Sequence, residues 1–301
     1  MAGGVGGAKL AEGLTGALDA PEDLTVVVNT GDDAVVHGLC VSPDLDTVMY
    51  TLAGMSNTDT GWGVADDTFT TLEAMARLGA DTWFQLGDRD LATNIVRSAR
   101  LRDGVPLSQV TADLCRALGI GARLLPMTDQ RVATILETPS GPLEFQEYFV
   151  ARRHQDPVLG VTFEGVEHAH PAPGVLEALE ADVVVVAPSN PFVSLGPILA
   201  VPGVRDALAA TSARRVAVSP IVGGRALKGP AAAMLQSMGH ETSALGVARL
   251  WSGLVDELVI DDSDAALAPA IEELGISAVV TGTVMGGRAD RERLAHQLLV
   301  R

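Results

Sequence analysis

Cysteine is nearly absent: Cys40 and Cys115 are the only two, too few for a disulfide framework and without a CxxC metal pair. Long apolar runs are missing as well. The longest, at 183–187, is far too short to cross a bilayer. No charged segment followed by an apolar stretch opens the chain, so no signal peptide is expected and the cytosol is the expected compartment. Basic residues number 21 against 38 acidic ones, a net charge of −17, and no basic run exists. Such a surface repels a phosphate backbone, which excludes a nucleic-acid partner. Lysine is scarcest of all, with only Lys9 and Lys228, both beside glycines, where a phosphate contact is one reading and solvated side chains the other. The GxSxG elbow, the HExxH zinc motif and the GxxxxGK[ST] phosphate loop do not occur.

What is present is a hydrophobic content of 47% in 301 residues, which excludes a disordered chain and permits a sizeable core. No repeat or low-complexity linker interrupts the patterning, so residues 1–301 read as a single α/β domain. Short β-branched runs at 24–28, 183–187, 215–219, 258–260 and 277–280 lack alternation, as strands buried on both faces do. Amphipathic stretches at 229–238, 266–274 and 289–300 separate the later ones. That alternation predicts a Rossmann-like, doubly wound, mainly parallel sheet. Three helix-like segments at 66–78, 88–103 and 107–118 follow one another in the middle of the chain. After them come strand-like runs at 131–137 and 143–150, joined by the turn sequence Thr138-Pro139-Ser140-Gly141-Pro142. Residues 44–165 are therefore expected to form a helical and antiparallel subdomain inserted into the core, covering a ligand at the strands' carboxyl ends.

Several loops could carry chemistry. Gly3-Gly4-Val5-Gly6-Gly7-Ala8-Lys9 precedes a helical pattern, the arrangement that lets backbone N–H groups and a helix N-terminus meet an anion. A phosphate-binding loop should follow a strand, yet only Met1 and Ala2 stand before it, so that strand is expected to be missing. Asp32 and Asp33 follow a strand, where they either cap the loop or face a ligand. In Ser42-Pro43-Asp44-Leu45-Asp46, Asp44 reads as a helix-start charge, while Asp46 could join substrate phosphates in holding Mg²⁺. Asp88, Arg89 and Asp90 read as an acidic helix start with a surface Arg. Pro188-Ser189-Asn190-Pro191 and the loop 219–224 add two Pro- and Gly-rich turns at further strand ends, the second followed by Lys228. His168 and His170, on a Pro-rich loop, read as solvated. Trp62 and Trp83 either stack on a planar ring or fill core.

Taken in order, GGVGGAK, VVNTGDD, SPDLDTV, GWGVADDTF, LGDRDLAT, LLPMTDQRVAT, FQEYFV, APSNPFVSLGPIL and SPIVGG resemble the 2-phospho-L-lactate transferase family of deazaflavin coenzyme biosynthesis, over residues 2–251. The resemblance implies a Rossmann-like core with an inserted subdomain. It also implies transfer of a phospho-carboxylate group from a guanosine diphosphate-linked donor to the deazaflavin Fo, with Mg²⁺ and release of GMP. On the same footing Asp46 is expected beside Fo and the metal, with Asp33 as the second metal carboxylate. Gln85 takes an acceptor-side position that is commonly basic in the family. Gly3, Gly4, Gly6, Gly7, Ser189, Asn190, Ser219 and Gly223 fall where the nucleotide would bind, and a homodimer is expected. Two alternatives use the same loops. A nucleotide- or nucleotide-sugar-binding regulator would lack turnover, and SPDLDTV, LGDRD and FQEYFV speak against it. An NAD-dependent dehydrogenase would use Asp32 or Asp33 on the ribose but shows no hydride-transfer constellation.

Overall fold

The structure is a computed structural model and describes residues 1–300. The unalternated valine-rich runs form strands of a parallel sheet, its inner strands buried for most of their length and the edge strand Ser277–Val280 partly exposed. Ser277–Val280, Glu257–Ile260, Arg214–Val218 and Val183–Val186 lie side by side in that order, all parallel. Thr25–Val28 and Arg123–Pro126 make a second parallel pair. Between the two groups runs the very start of the chain. Met1 accepts from the Ala187 amide at 3.0 Å and its amino group donates to the Val185 carbonyl at 2.8 Å. Ala2 bonds on its other side, donating to Val27 and accepting from Asn29. The strand expected to be missing is thus held by two residues, and they join the halves of the sheet. Burial pulls the Met1 ammonium down to about 5.

This central position is where the chain's winding changes direction. From Ala2 the helix Gly4–Ala17 leads to Thr25–Val28 on one side, while Val183–Val186 and the strands after it fill the other. Open α/β sheets bind ligands in the crevice such a reversal leaves at the strands' carboxyl ends. The helix Gly4–Ala17 packs against Pro43–Leu52 and against the last helix, Arg288–Leu299. Gly13 permits the second contact, since a Cβ there would stand 2.3 Å from the Arg291 carbonyl oxygen.

The middle of the chain departs from the expected layout. The helices Thr70–Arg77, Asp88–Arg102 and Leu107–Ala117 form as the periodicity predicts. Arg123–Pro126, inside the expected insertion, instead extends the parallel sheet beside Thr25–Val28. The three residues after its first, Leu124, Leu125 and Pro126, are buried. The antiparallel part is a three-stranded sheet in which Ala133–Thr138 is central between Gly141–Glu144 and Gly160–Glu164. Its hairpin turns at Pro139 and Ser140, with Gly141 at φ 109°. The second run does not continue as a strand to residue 150. Glu147–Ala151 coil into a π-helical turn, which buries Tyr148 and brings Phe145 and Phe149 into parallel stacking 5.4 Å apart.

Candidate active site

The loops after the parallel strands, together with the π-helical turn, enclose one cavity of about 910 Å³. Its lining includes Gly3, Gly4 and Gly6, Pro188, Ser189 and Asn190, Ser219 and Pro220, and residues 283–286. Trp62, Phe84, Gln85, Phe145, Phe149 and His154 line it as well. Asp32, Asp44, Asp46 and Asp90 also reach its wall.

The glycines are required by close approach. A Cβ on Gly6 would lie 2.5 Å from the Pro188 carbonyl oxygen, and one on Gly3 would lie 2.6 Å from Ser194 Cβ and 2.7 Å from Asp44 Oδ2. Gly7 is buried away from the cavity, where a Cβ would meet Ala2 at 2.8 Å. Ser189 ties this loop to its neighbour: its hydroxyl accepts from the Gly3 amide at 3.1 Å and donates to the Gly3 carbonyl at 2.7 Å. Asn190 Oδ1 accepts from the amides of Phe192 and Val193, and Ser219 Oγ bonds both backbone groups of Ile221. These three side chains therefore shape loops. An anion would meet chiefly the amides that a helix leaves unpaired in its first turn. Gly223 lies outside the cavity wall, its amide donating to Asp264 Oδ2 at 2.9 Å.

The acidic residues differ from one another in their partners. Asp46 is buried at the start of the helix Pro43–Leu52, and both its oxygens accept from the Arg97 guanidinium. Arg97 is itself only 1% exposed and also donates to Asn94 Oδ1 at 2.7 Å. Burial opposes the Arg97 charge, yet Asp46 outweighs it and holds the guanidinium above its usual range. Asp44 is not a simple helix-start charge. Its Oδ1 accepts from the Gly4 amide at 2.8 Å, so it caps the glycine-loop helix across 40 residues, and its Oδ2 accepts from Asn29 Nδ2 at 3.0 Å. Burial pushes Asp44 up to about 6 despite those two donors. Asp32 and Asp33 are both raised by burial, and each has one buried oxygen, Oδ1, without a hydrogen-bond partner. Asp33 does not line the cavity, and its other oxygen accepts from Ser42 Oγ at 2.7 Å. Asp90 Oδ1 accepts from Tyr50 OH at 2.9 Å and from Asn94 Nδ2 at 3.1 Å, and burial pushes it up to about 6.

Arg97, Asn29 and the outlook of Asp44 and Asp90 into the cavity escaped the sequence reading. One signal for Arg97 existed: Asp90, Asn94, Arg97 and Ser98 share one helical face at steps of four, three and one. Gln85 lines the cavity with its side chain exposed, donating to the Thr82 carbonyl at 3.2 Å. Trp62 faces the cavity and is 44% exposed, whereas Trp83 packs edge-on against Phe84 outside it. His168 and His170 are exposed. No group of three or more His, Cys, Asp or Glu side chains suited to a metal ion forms among the described residues. No helix among them is long and apolar enough to cross a membrane.

Comparison with known proteins gives this site a context. A phosphoenolpyruvate transferase of Streptomyces griseus is 49% identical over 307 residues, covering 99% of this chain and 96% of the relative. A 2-phospho-L-lactate transferase of Methanothermobacter thermautotrophicus is 42% identical over 300 residues, with the same coverage of both chains. Among solved structures, a UPF0052 family member from Bacillus halodurans superposes with a TM-score of 0.63 over 99% of this chain and 96% of that one. At 17% identity, that likeness concerns the fold alone. The family model for 2-phospho-L-lactate transferase CofD matches residues 1–278. The chain is an enzyme of the transferase class and belongs to the 2-phospho-L-lactate transferase CofD family.

Proposed function

We propose that the protein transfers a phospho-carboxylate group from a guanosine diphosphate-linked donor to the terminal ribityl hydroxyl of the deazaflavin Fo, releasing GMP, in the biosynthesis of coenzyme F-420. The group is phospholactyl, phosphoenolpyruvyl or phosphoglyceryl. The acceptor oxygen forms a bond to the phosphorus that bears the three-carbon acid. The bridging P–O bond breaks with its electrons leaving on GMP, and the hydroxyl proton passes to a base. Such a reaction asks the protein for alignment and charge compensation more than for covalent chemistry.

One observation carries the reading: a single cavity is lined by glycine-rich loops suited to an anion, by aromatic side chains and by carboxylates. The glycine loop suits the donor's phosphates, with Ser189, Asn190 and Ser219 holding the loops around it. Phe145, Phe149 and Trp62 suit a planar deazaflavin ring, and Gln85 lines the same cavity. Asp46 is the carboxylate assigned to the acceptor hydroxyl, oriented by Arg97.

A hard divalent cation such as Mg²⁺ fits the acidic wall, since Asp32 keeps one buried oxygen there without a hydrogen-bond partner. Asp32 and Asp44 would hold it, because both face the cavity without a cationic partner. Asp46 and Asp33, expected in that role, are less suited, one being engaged by Arg97 and the other lying off the cavity wall. When bound, the cation would offset charge on the donor's diphosphate. We further propose a cytosolic homodimer, which light scattering on the purified protein tests.

Mass-spectrometric product analysis with Fo and each of the three donors tests the reaction, and absence of any transfer product refutes it. Calorimetric titration tests the nucleoside: GDP is expected to bind more tightly than ADP, and equal affinities remove the guanosine assignment.

A further inference from the structure

The two lysines are the most unevenly placed residues in the molecule. A lysine in a chain with 38 acidic residues ordinarily finds a carboxylate or stays in bulk water. Here both line the same cavity, although 219 positions separate them in sequence. Every ion pair among the described residues is made by arginine or histidine, and neither lysine takes part in one. Each ammonium meets a neutral carbonyl instead: Lys9 Nζ donates to Met285 at 3.0 Å and Lys228 Nζ to Thr60 at 3.4 Å. An ammonium carries three donors, so hydrogen-bonding capacity is left over on both.

Their positions converge on the glycine loop. Lys9 stands one helical turn after Val5, on the same face of the helix Gly4–Ala17. Lys228 reaches that place from the loop before the helix Ala231–Ser237. A Cβ on Gly61 would lie 2.7 Å from Lys228 Nζ and 3.2 Å from a Val5 methyl, so the ammonium sits close to the loop. Burial first, and then the cations of Arg291 and Lys228, pull the Lys9 ammonium below the usual lysine range. Arg291 is paired with Glu12, whose charge partly offsets the repulsion felt by Lys9, and neither lysine forms an ion pair of its own.

We propose that Lys9 and Lys228 jointly grip the diphosphate of the donor, one ammonium serving each phosphate, with the first-turn amides of the glycine loop behind them; this rests on the reading of the cavity as a diphosphate-donor site. Two like charges held over an anion-suited loop are relieved by a ligand bearing two adjacent anionic groups. A single phosphate would satisfy only one of them. The arrangement also accounts for anion binding by a chain at −17: the attraction is local, carried by two side chains that form no ion pair with a carboxylate.

Titration calorimetry with inorganic pyrophosphate, GDP and GMP, on the wild type and on Lys9→Met and Lys228→Met, tests the grip. Each substitution is expected to weaken pyrophosphate and GDP roughly tenfold or more, as loss of a charge-assisted hydrogen bond does, and GMP by less. Lys9→Arg and Lys228→Arg should keep most of the affinity. Arg116→Met, which removes an equal charge from an exposed helix face, should change nothing. The salt dependence of pyrophosphate binding should become shallower in both methionine variants. Circular dichroism confirms that each variant is folded. The proposal is overturned if the wild type does not bind pyrophosphate, or if both methionine variants bind it as the wild type does. Equal binding of GDP and ADP by the wild type would instead refute the guanosine reading and leave the lysine grip standing.

Discussion

Removing one partner of the Asp46–Arg97 pair is expected to cost far more than removing both. The two residues are 5% and 1% exposed and bond through both carboxylate oxygens. Arg97→Met would leave a carboxylate in a place where Asp33 and Asp90 already feel its charge. Asp46→Leu would leave a buried guanidinium whose remaining side-chain partner is Asn94. Breaking a buried pair from one side costs about 3–5 kcal/mol, whereas replacing both partners with apolar groups of similar volume is often close to neutral. Urea denaturation followed by circular dichroism, on both single variants and the Asp46→Leu/Arg97→Met double variant, gives the coupling directly. The double variant should be more stable than either single one, with a coupling of about 2 kcal/mol or more, yet it should lose transfer activity because the acceptor-side carboxylate is gone. Additive losses, or a single substitution costing under about 1 kcal/mol, would refute the view that this pair is a buried, mutually dependent unit.

Further expectations follow from the cavity wall. Asp44 and Asp90 are raised to about 6 from 3.8, so the folded state holds their protons longer than the unfolded chain and stability falls as pH rises from 3.8 through 6. A cation that binds the ionised form offsets this, so the rise in melting temperature produced by Mg²⁺ should be larger at pH 7.5 than at pH 5; an equal rise at both would argue against carboxylate ligation. Asp44→Asn should abolish most of that Mg²⁺-dependent rise and lower activity, measured by product formation, by on the order of 10²-fold. Gly6→Ala should lower stability by about 1–3 kcal/mol in urea titrations, because the 2.5 Å approach to the Pro188 carbonyl outweighs alanine's advantage in a helix. Trp62 fluorescence should change when Fo binds, and Trp62→Phe should remove that change.

Hydrophobic pattern carried the core of the fold. Buried parallel strands have a signature that does not depend on distant partners, and valine runs such as 183–186 declare themselves. The hairpin around Pro139 and the three middle helices were legible for the same local reason. Arg123–Pro126 was not, because four residues beginning with an exposed arginine become a sheet strand only through the register offered by Thr25–Val28. The π-helical turn was equally hidden: the alternating look of FQEYFV fits a strand until Tyr148 is buried. In the site, loop glycines were legible as points of close approach, whereas partners were not. Nothing local announces that Asp44 caps a helix 40 residues upstream. The helix Asp88–Arg102 inverts the usual rule, burying Asp90, Asn94, Arg97 and Ser98 while leaving Ile95 and Val96 each 48% exposed. A reader of apolar periodicity turns that helix the wrong way round.

That inversion explains how an acid-rich cavity keeps its shape. A wall bearing Asp32, Asp44, Asp46 and Asp90 would repel itself if all four were ionised and free. The polar face of Asp88–Arg102 answers two of them: Arg97 neutralises Asp46, and Asn94 with Tyr50 holds Asp90. Asn29 and the Gly4 amide answer Asp44 with dipoles, which fix its direction without cancelling its charge. Asp32 has an oxygen that nothing answers. Charge is therefore cancelled at Asp46 and left uncancelled at Asp32 and Asp44, in a cavity that Lys9 and Lys228 also line with the opposite sign. A ligand that is anionic and also carries a cation meets both needs at once, and a neutral ligand meets neither. On the proposed reading, selectivity of this end of the cavity for a metal-bound diphosphate would arise from which carboxylates the fold pairs and which it leaves unpaired.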